Sequence, residues 1–219
     1  MPKSPSSTVY KKWIGSGLLL TPLVLLCVLY IDVPVALYVK NHLYASPQWS
    51  NLTSNLPDLL LMVVLLSMLL ASLVYLTRTR EEIYDATTML AKLVFWAAPA
   101  SYLVKVVLKA CFGRVNTRYW LEEPGLYGFH WFQMREHCEG FPSGHMLVIV
   151  TLLAVLWRFY PKSRSLCLFT GALLGTALVA TNYHFVSDVI AGAYLGALVE
   201  AVAFRLLLHE PPRLGVGNS

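Results

Sequence analysis

Six long apolar runs constrain this chain more than any other feature. They fall at roughly 13–38, 57–77, 88–111, 144–160, 166–183 and 185–208. A helix needs about 20 largely apolar residues to cross the hydrocarbon core of a bilayer, within a range of about 17–25. In that solvent every backbone N–H and C=O must be satisfied inside the chain, so such runs fold as helices. The fourth and fifth runs are marginal in length. Composition agrees: 57% of the 219 residues are hydrophobic and only 13% are charged, where a soluble domain carries about a quarter charged. The predicted fold is all-α, a polytopic membrane protein with six transmembrane helices. The chain contains no internal repeat, low-complexity tract or linker, so residues 1–219 read as a single integral-membrane domain.

The basic residues orient these spans. Lys3, Lys11 and Lys12 precede the first run, and Arg78 and Arg80 follow the second. Arg158, Lys162 and Arg164 surround the turn after the fourth, and Arg205 and Arg213 lie at the end of the sixth. With six alternating spans all four clusters share one face, which makes that face cytoplasmic and places both termini there. The first run is too long for a cleaved signal sequence and reads as a retained helix. A formal charge of +5 distributed in this way implies membrane lipids as partners and no nucleic acid. On the other face, the loop after the first run carries Lys40 alone among Lys and Arg, and its Trp49, with Tyr38 and Tyr44, suits the interfacial aromatic belt. The loop from about 112 to 142 departs from the rule by keeping Arg114, Arg118 and Arg135, which points to an anionic ligand on that face. Its many aromatic residues predict that it packs over the helix ends. Cys111 and Cys138 both fall near this face, where a disulfide persists in an oxidising compartment; Cys27 and Cys167 lie inside spans and read as packing residues.

Two short stretches carry the chemistry. Phe141-Pro-Ser-Gly-His145 joins the polar loop to the fourth run. Pro142 suits a helix start and Ser143 a helix cap. Gly144 permits close approach, and the free N–H groups of a first turn form an anion site. His145 projects from that same turn. At the start of the sixth run, His184 and Asp188 stand four apart, the spacing that places two side chains on one helix face. A carboxylate hydrogen-bonded to one imidazole nitrogen sets the tautomer and makes the other nitrogen a better nucleophile or base. Lys109, Arg114 and Arg118 add positive charge on this face. The bound group expected is therefore a phosphate or pyrophosphate, and the reaction is phosphoryl transfer through a covalent histidine intermediate. Taken singly, each feature has a plainer reading: an interfacial His, an ion pair, an ordinary cap. Their coincidence on one predicted face favours the catalytic one. Other polar residues read as structural. Asp58 is a helix N-terminal carboxylate, Lys92 and Lys105 are snorkelling side chains, and His130 and His137 belong to loop packing.

At these residues the chain resembles the type 2 phosphatidic acid phosphatase (PAP2) superfamily. The family's Pro-Ser-Gly-His motif is intact as Pro142, Ser143, Gly144 and His145, and the His and Asp of its third motif as His184 and Asp188. Lys109-Ala-Cys-Phe-Gly-Arg114 resembles its first motif. The chain departs where the family has Arg-Pro, with Asn116-Thr117 here, and where it has Ser-Arg, with Ala177-Leu178 here. The resemblance, centred on motifs within 105–192, implies a PAP2-like helical bundle and a lipid phosphatase that uses no metal or other cofactor. It implies His184 as nucleophile, Asp188 orienting it, and His145 as general acid and base. Lys109, Arg114, Ser143 and Gly144 would hold the phosphate, and Arg118 would substitute for a missing arginine. Restoring the other, by Leu178→Arg, is expected to raise phosphate affinity. The expected substrate is a lipid phosphomonoester or pyrophosphate: undecaprenyl pyrophosphate, phosphatidylglycerol phosphate, phosphatidic acid or a lipid A phosphate. The expected location is a bacterial inner membrane with the site on the periplasmic face. A phosphotransferase acting between lipids and a non-catalytic lipid-phosphate binding or transport protein remain as alternatives.

Overall fold

The structure is a computed structural model and describes residues 7–43, 56–133, 135 and 137–208. The predicted belt residues Tyr44 and Trp49 lie outside them, as do Lys3 and Arg213. The described residues form α1 (Ser7–Leu26), a π-helical turn (Cys27–Ile31), α2 (Asp32–His42), α3 (Leu56–Arg80) and α4 (Ala86–Phe112). The short α5 (Thr117–Glu122) follows, then α6 (Gly144–Phe159), α7 (Arg164–Ala180) and α8 (Val186–Leu208). There is no β-strand among them. An isolated antiparallel bridge joins Arg114 to Phe129.

Five segments among the described residues are long and apolar enough to cross a membrane: Gly15–His42, Met62–Arg80, Ala86–Phe112, Pro161–Ala180 and Val186–Leu207. The fourth predicted span is the exception. It becomes the 16-residue helix Gly144–Phe159, about 24 Å long at 1.5 Å per residue, against a core of roughly 30 Å. Its ends explain its length. Ser143 caps it, and at the other end Tyr160 leaves helical geometry before Pro161. Many large apolar side chains of α1, α3 and α7 are more than half exposed, among them Leu18, Leu19, Leu65, Leu69, Leu168 and Phe169. A soluble surface rarely carries so much contiguous apolar area, whereas lipid covers it at no cost.

α6 and α8 form the centre, with α4 against both, α3 outside α4, and α7 against α6 and α8. The α6–α8 crossing depends on absent side chains. A Cβ on Gly192 would stand 2.5 Å from the Ser143 carbonyl oxygen, and one on Gly196 would collide with the Leu147 carbonyl. Small residues allow backbones this close in lipid, where packing replaces the hydrophobic effect as the source of helix association. Thr151 exploits the approach by donating to Leu147 O (2.8 Å) and Gly196 O (3.0 Å). Leu93, Val94, Ala97, Val155 and Phe204 fill the space between α4, α6 and α8. At the end of the bundle away from the histidines, Arg158 forms a two-point ion pair with the buried Glu200 (2.5 and 2.8 Å), and Lys92 donates to Leu207 O.

The 113–143 loop folds back over the other end. Val115, Trp120 and Cys138 pack with Ala36 of α2 and Phe185, as the aromatic content of the loop predicted. All four cysteines are free thiols. The Cys111–Cys138 pairing therefore does not form, and the Cys138 side chain is taken up in that apolar cluster.

Candidate active site

The site forms where four helix ends meet: the last turn of α4, the first turns of α6 and α8, and the turn leaving α7. Each end has a local cause. Gly113, at φ 54°, closes α4 with its N–H on Lys109 O, a left-handed conformation suited to glycine. Ser143 caps α6 by accepting from Met146 N. Its own N–H donates to Asp188 O (3.0 Å), which ties the start of α6 to the start of α8 and brings the two motifs together.

His145 and His184 line one cavity of about 500 Å³. Their ring centroids are 6.0 Å apart, which puts both imidazoles within reach of one phosphoryl group. Lys105, Lys109 and Arg118 share the lining, with Tyr183, Asn116 and Tyr119 between them. Glu122 and Glu139 lie at its edge, and Glu139 is 3.6 Å from the Lys109 ammonium. The cavity thus carries the cations Lys105, Lys109 and Arg118, partly balanced by Glu122 and Glu139. Among the described residues no three His, Cys, Asp or Glu side chains converge as metal ligands.

The His–Asp pair differs from the helical pairing predicted for it. α8 begins at Val186, so His184 precedes the helix and only Asp188 lies in its first turn. Asp188 Oδ2 accepts from Phe185 N (2.9 Å) and caps the helix. His184 Nδ1 is 3.6 Å from that same oxygen, beyond hydrogen-bond length, and makes no hydrogen bond. Asp188 thus faces Nδ1, leaving Nε2 as the nitrogen directed away from the carboxylate.

The predicted phosphate ligands separate into two groups. Lys109 and Arg118 line the cavity. Arg118 lies over the Tyr183 ring, 4.6 Å from its centroid, and donates to Thr181 O. Ser143, Gly144 and Arg114 do not line it. The Ser143 hydroxyl is fully buried against the α6 amide it caps. Gly144 serves by what it lacks, since a Cβ there would meet Lys105 Cδ and Cε at 2.7 Å. Arg114 has no exposed surface. Its guanidinium is held between two carboxylates, at 2.5 Å from Asp188 and 2.8 Å from Asp32.

Sequence reasoning missed three participants. Lys105, read as snorkelling, reaches the cavity across Gly144; its position one turn before Lys109 was the available signal. His137, read as loop packing, lines the cavity while stacking on Tyr119 (centroids 4.3 Å apart). Asp32 was passed over altogether. A carboxylate within an apolar run is costly in a membrane and marks function by default, so that signal was present in the sequence.

The departures from the motif also have physical reasons. Asn116 is the N-cap of α5, accepting from Tyr119 N (2.8 Å). Leu178 is buried with Met146, Ile149 and Leu174 and does not line the cavity. Its carbonyl accepts the N–H groups of Tyr183 and His184. An arginine at 178 would enter an apolar cluster, so the structure does not support the gain in phosphate affinity expected of Leu178→Arg.

A second, apolar groove of about 1160 Å³ runs between α6, α7 and α8. Its lining includes Met146, next to His145 in the sequence, and Val186 of the first turn of α8.

This fold and site define a helical membrane protein with two histidines in one cavity beside Lys105, Lys109 and Arg118. The chain belongs to the PAP2 superfamily, whose family model matches residues 89–210. The chain is similar to two curated proteins named lipid A 1-phosphatase. The one from Rhizobium johnstonii is 30% identical over 114 residues, which cover 51% of this chain and 46% of that protein. The one from Rhizobium etli is 28% identical over 114 residues, covering 51% and 49%. The chain therefore spans about half the length of the curated relatives it matches. No solved structure matches it.

Proposed function

We propose that this protein is a membrane lipid phosphatase that hydrolyses a lipid phosphomonoester or pyrophosphate through a phosphohistidine intermediate. The observation that carries this reading is the pair of imidazoles facing one cavity beside Lys105, Lys109 and Arg118. Membership of the PAP2 superfamily supports the reaction class. The two relatives are named lipid A 1-phosphatase, which supports trying a lipid A phosphate first.

In the proposed cycle, the Nε2 lone pair of His184 attacks phosphorus and the bond from phosphorus to the lipid oxygen breaks. That oxygen leaves with a proton from His145. His145 then takes a proton from water as the water oxygen attacks phosphohistidine. The P–N bond breaks, inorganic phosphate departs and both histidines return to their starting states. Lys105, Lys109 and Arg118 hold the phosphoryl oxygens and offset the charge that builds in the transition state. This charge neutralisation by the protein's own cations is the reason to expect turnover without a metal ion. The acyl chains occupy the apolar groove between α6, α7 and α8, whose lining includes Met146, next to His145 in the sequence.

Phosphate release by the purified protein tests the proposal, using a panel of lipid phosphates with chelator present. Wild type is expected to release phosphate. His184→Ala is expected to lose at least about 10³-fold while remaining folded, and His145→Ala to lose about 10²–10⁴-fold, the usual range for a general acid–base group. Substantial release by His184→Ala would remove it as the nucleophile. Loss of lipid phosphate without inorganic phosphate, but with an acceptor lipid phosphorylated, would make the protein a phosphotransferase.

A further inference from the structure

Asp32 lies within the first apolar segment, directly after the π-helical turn, where its N–H donates to Cys27 O five residues back. Such single-turn widenings occur often at functional sites. Asp32 is fully buried. A carboxylate there persists only with strong partners, and Asp32 has them. It accepts from Arg114 Nη2 (2.8 Å), Ser187 N (3.0 Å) and the Ser187 hydroxyl. Arg114 reaches the other way with Nη1, donating to Asp188 Oδ1 (2.5 Å) and Ser187 Oγ (2.6 Å). Its guanidinium stacks on Phe185 (4.5 Å) and Phe129 (5.1 Å), and Nη2 also donates to Tyr127 (3.2 Å).

We propose that Asp32 is a positioning residue: acting through Arg114, it fixes the Asp188 carboxylate against His184. This inference rests on the reading of His184 as nucleophile. Asp188 has two oxygens with separate duties. Oδ1 is committed to Arg114, while Oδ2 accepts from Phe185 N and faces His184 Nδ1. Held at both oxygens the carboxylate cannot rotate freely, and one of its two anchors, Arg114, is a side chain whose own place depends on its partners. Arg114 in turn is held by Asp32 and by the aromatic rings around it.

The test uses the full chain in detergent or nanodiscs, with the lipid phosphate that wild type hydrolyses best. It measures kcat, KM, inhibition by inorganic phosphate, acid-quenched phosphoenzyme and the thermal midpoint. Asp32→Asn is expected to lower kcat and the rate of phosphoenzyme formation at least tenfold. KM and phosphate inhibition should stay within about twofold, because neither Asp32 nor Arg114 lines the cavity. Arg114→Lys, which keeps the charge but loses the two-sided fork, is expected to show the same pattern. If Asp32→Asn does not fold, Ser187→Ala replaces it. That variant removes the hydroxyl joining Asp32 to Arg114 without altering any charge, and a fall in kcat of at least threefold is expected. Wild-type kcat with only a lower thermal midpoint would overturn the proposal, leaving Asp32 as a brace. Weakened phosphate inhibition at unchanged kcat would overturn it too, by making the network a binding element. The two readings fail separately. A fully active His184→Ala removes the nucleophile, whereas an inactive His184→Ala beside a wild-type Asp32→Asn removes the role of Asp32 alone.

Discussion

At the scale of single residues, two arginines with the same sequence-level expectation have opposite fates. Arg118 lines the cavity and Arg114 is buried beside it, although both lie in the same loop and both carry a fixed positive charge. What separates them is the company the fold provides: Arg114 meets Asp32 and Asp188, while Arg118 meets the Tyr183 ring and a backbone carbonyl. Leu178 gives the sharpest test at this scale. Leu178→Arg places a cation among Met146, Ile149 and Leu174 with no carboxylate in that cluster. An unpaired buried charge costs on the order of 3–5 kcal/mol. The variant is expected to lower the thermal midpoint sharply and to gain no affinity for inorganic phosphate. A stable variant with tighter phosphate binding would show that the side chain turns towards the cavity.

At the scale of elements, helix ends position the chemistry. Ser143, Asn116 and Asp85 cap α6, α5 and α4, each accepting an N–H three residues on. Of these the sequence reading named Ser143 alone, although capping is a local property of residue type and spacing. Asp85 adds a pH dependence. The Thr88 N–H, first, and then the Thr88 hydroxyl and Arg78 hold its carboxyl down to about 2. A depressed carboxyl stabilises the fold above its unfolded value of about 3.9 and loses that contribution as pH falls towards 2. The thermal midpoint of wild type is therefore expected to fall more steeply than that of Asp85→Ala between about pH 4 and pH 2. Asp85→Ala should already be less stable at pH 7, and Asp85→Ser should recover much of the loss. Parallel curves for wild type and Asp85→Ala would show that the cap contributes nothing. One element reading failed for an equally local reason. The His184–Asp188 spacing implied a shared helix face, but Asp188 caps the helix that begins between them.

At the scale of the whole molecule, the ends of α4, α6, α7 and α8 that build the site lie together. The Arg158–Glu200 pair and the Arg78–Asp85 turn belong to the opposite end. The distribution of Lys and Arg then predicts which end faces the cytoplasm. In a variant with the four native cysteines replaced, an impermeant thiol reagent added outside intact cells is expected to label His130→Cys and not Lys162→Cys. The reverse pattern would invert the topology and place hydrolysis on the cytoplasmic side.

The sequence by itself determined the helices, most of their ends, and the two histidines with their neighbouring Lys109. Apolar run length, caps and motif spacing act over a few residues and need no knowledge of the fold. Only the tertiary structure decided which charges meet. Arg114 finds Asp32 across 82 positions and Asp188 across 74, and Asp32 finds the Ser187 amide across 155. In a low-dielectric interior a charge is stable only beside its partner. Pairings at such separations depend on where whole helices lie, and that is set by the glycine-mediated α6–α8 contact and the loop folded over it. Hence Arg114, which its motif suggested for phosphate, is spent on two carboxylates, while Lys105, read as a snorkelling side chain, reaches the cavity.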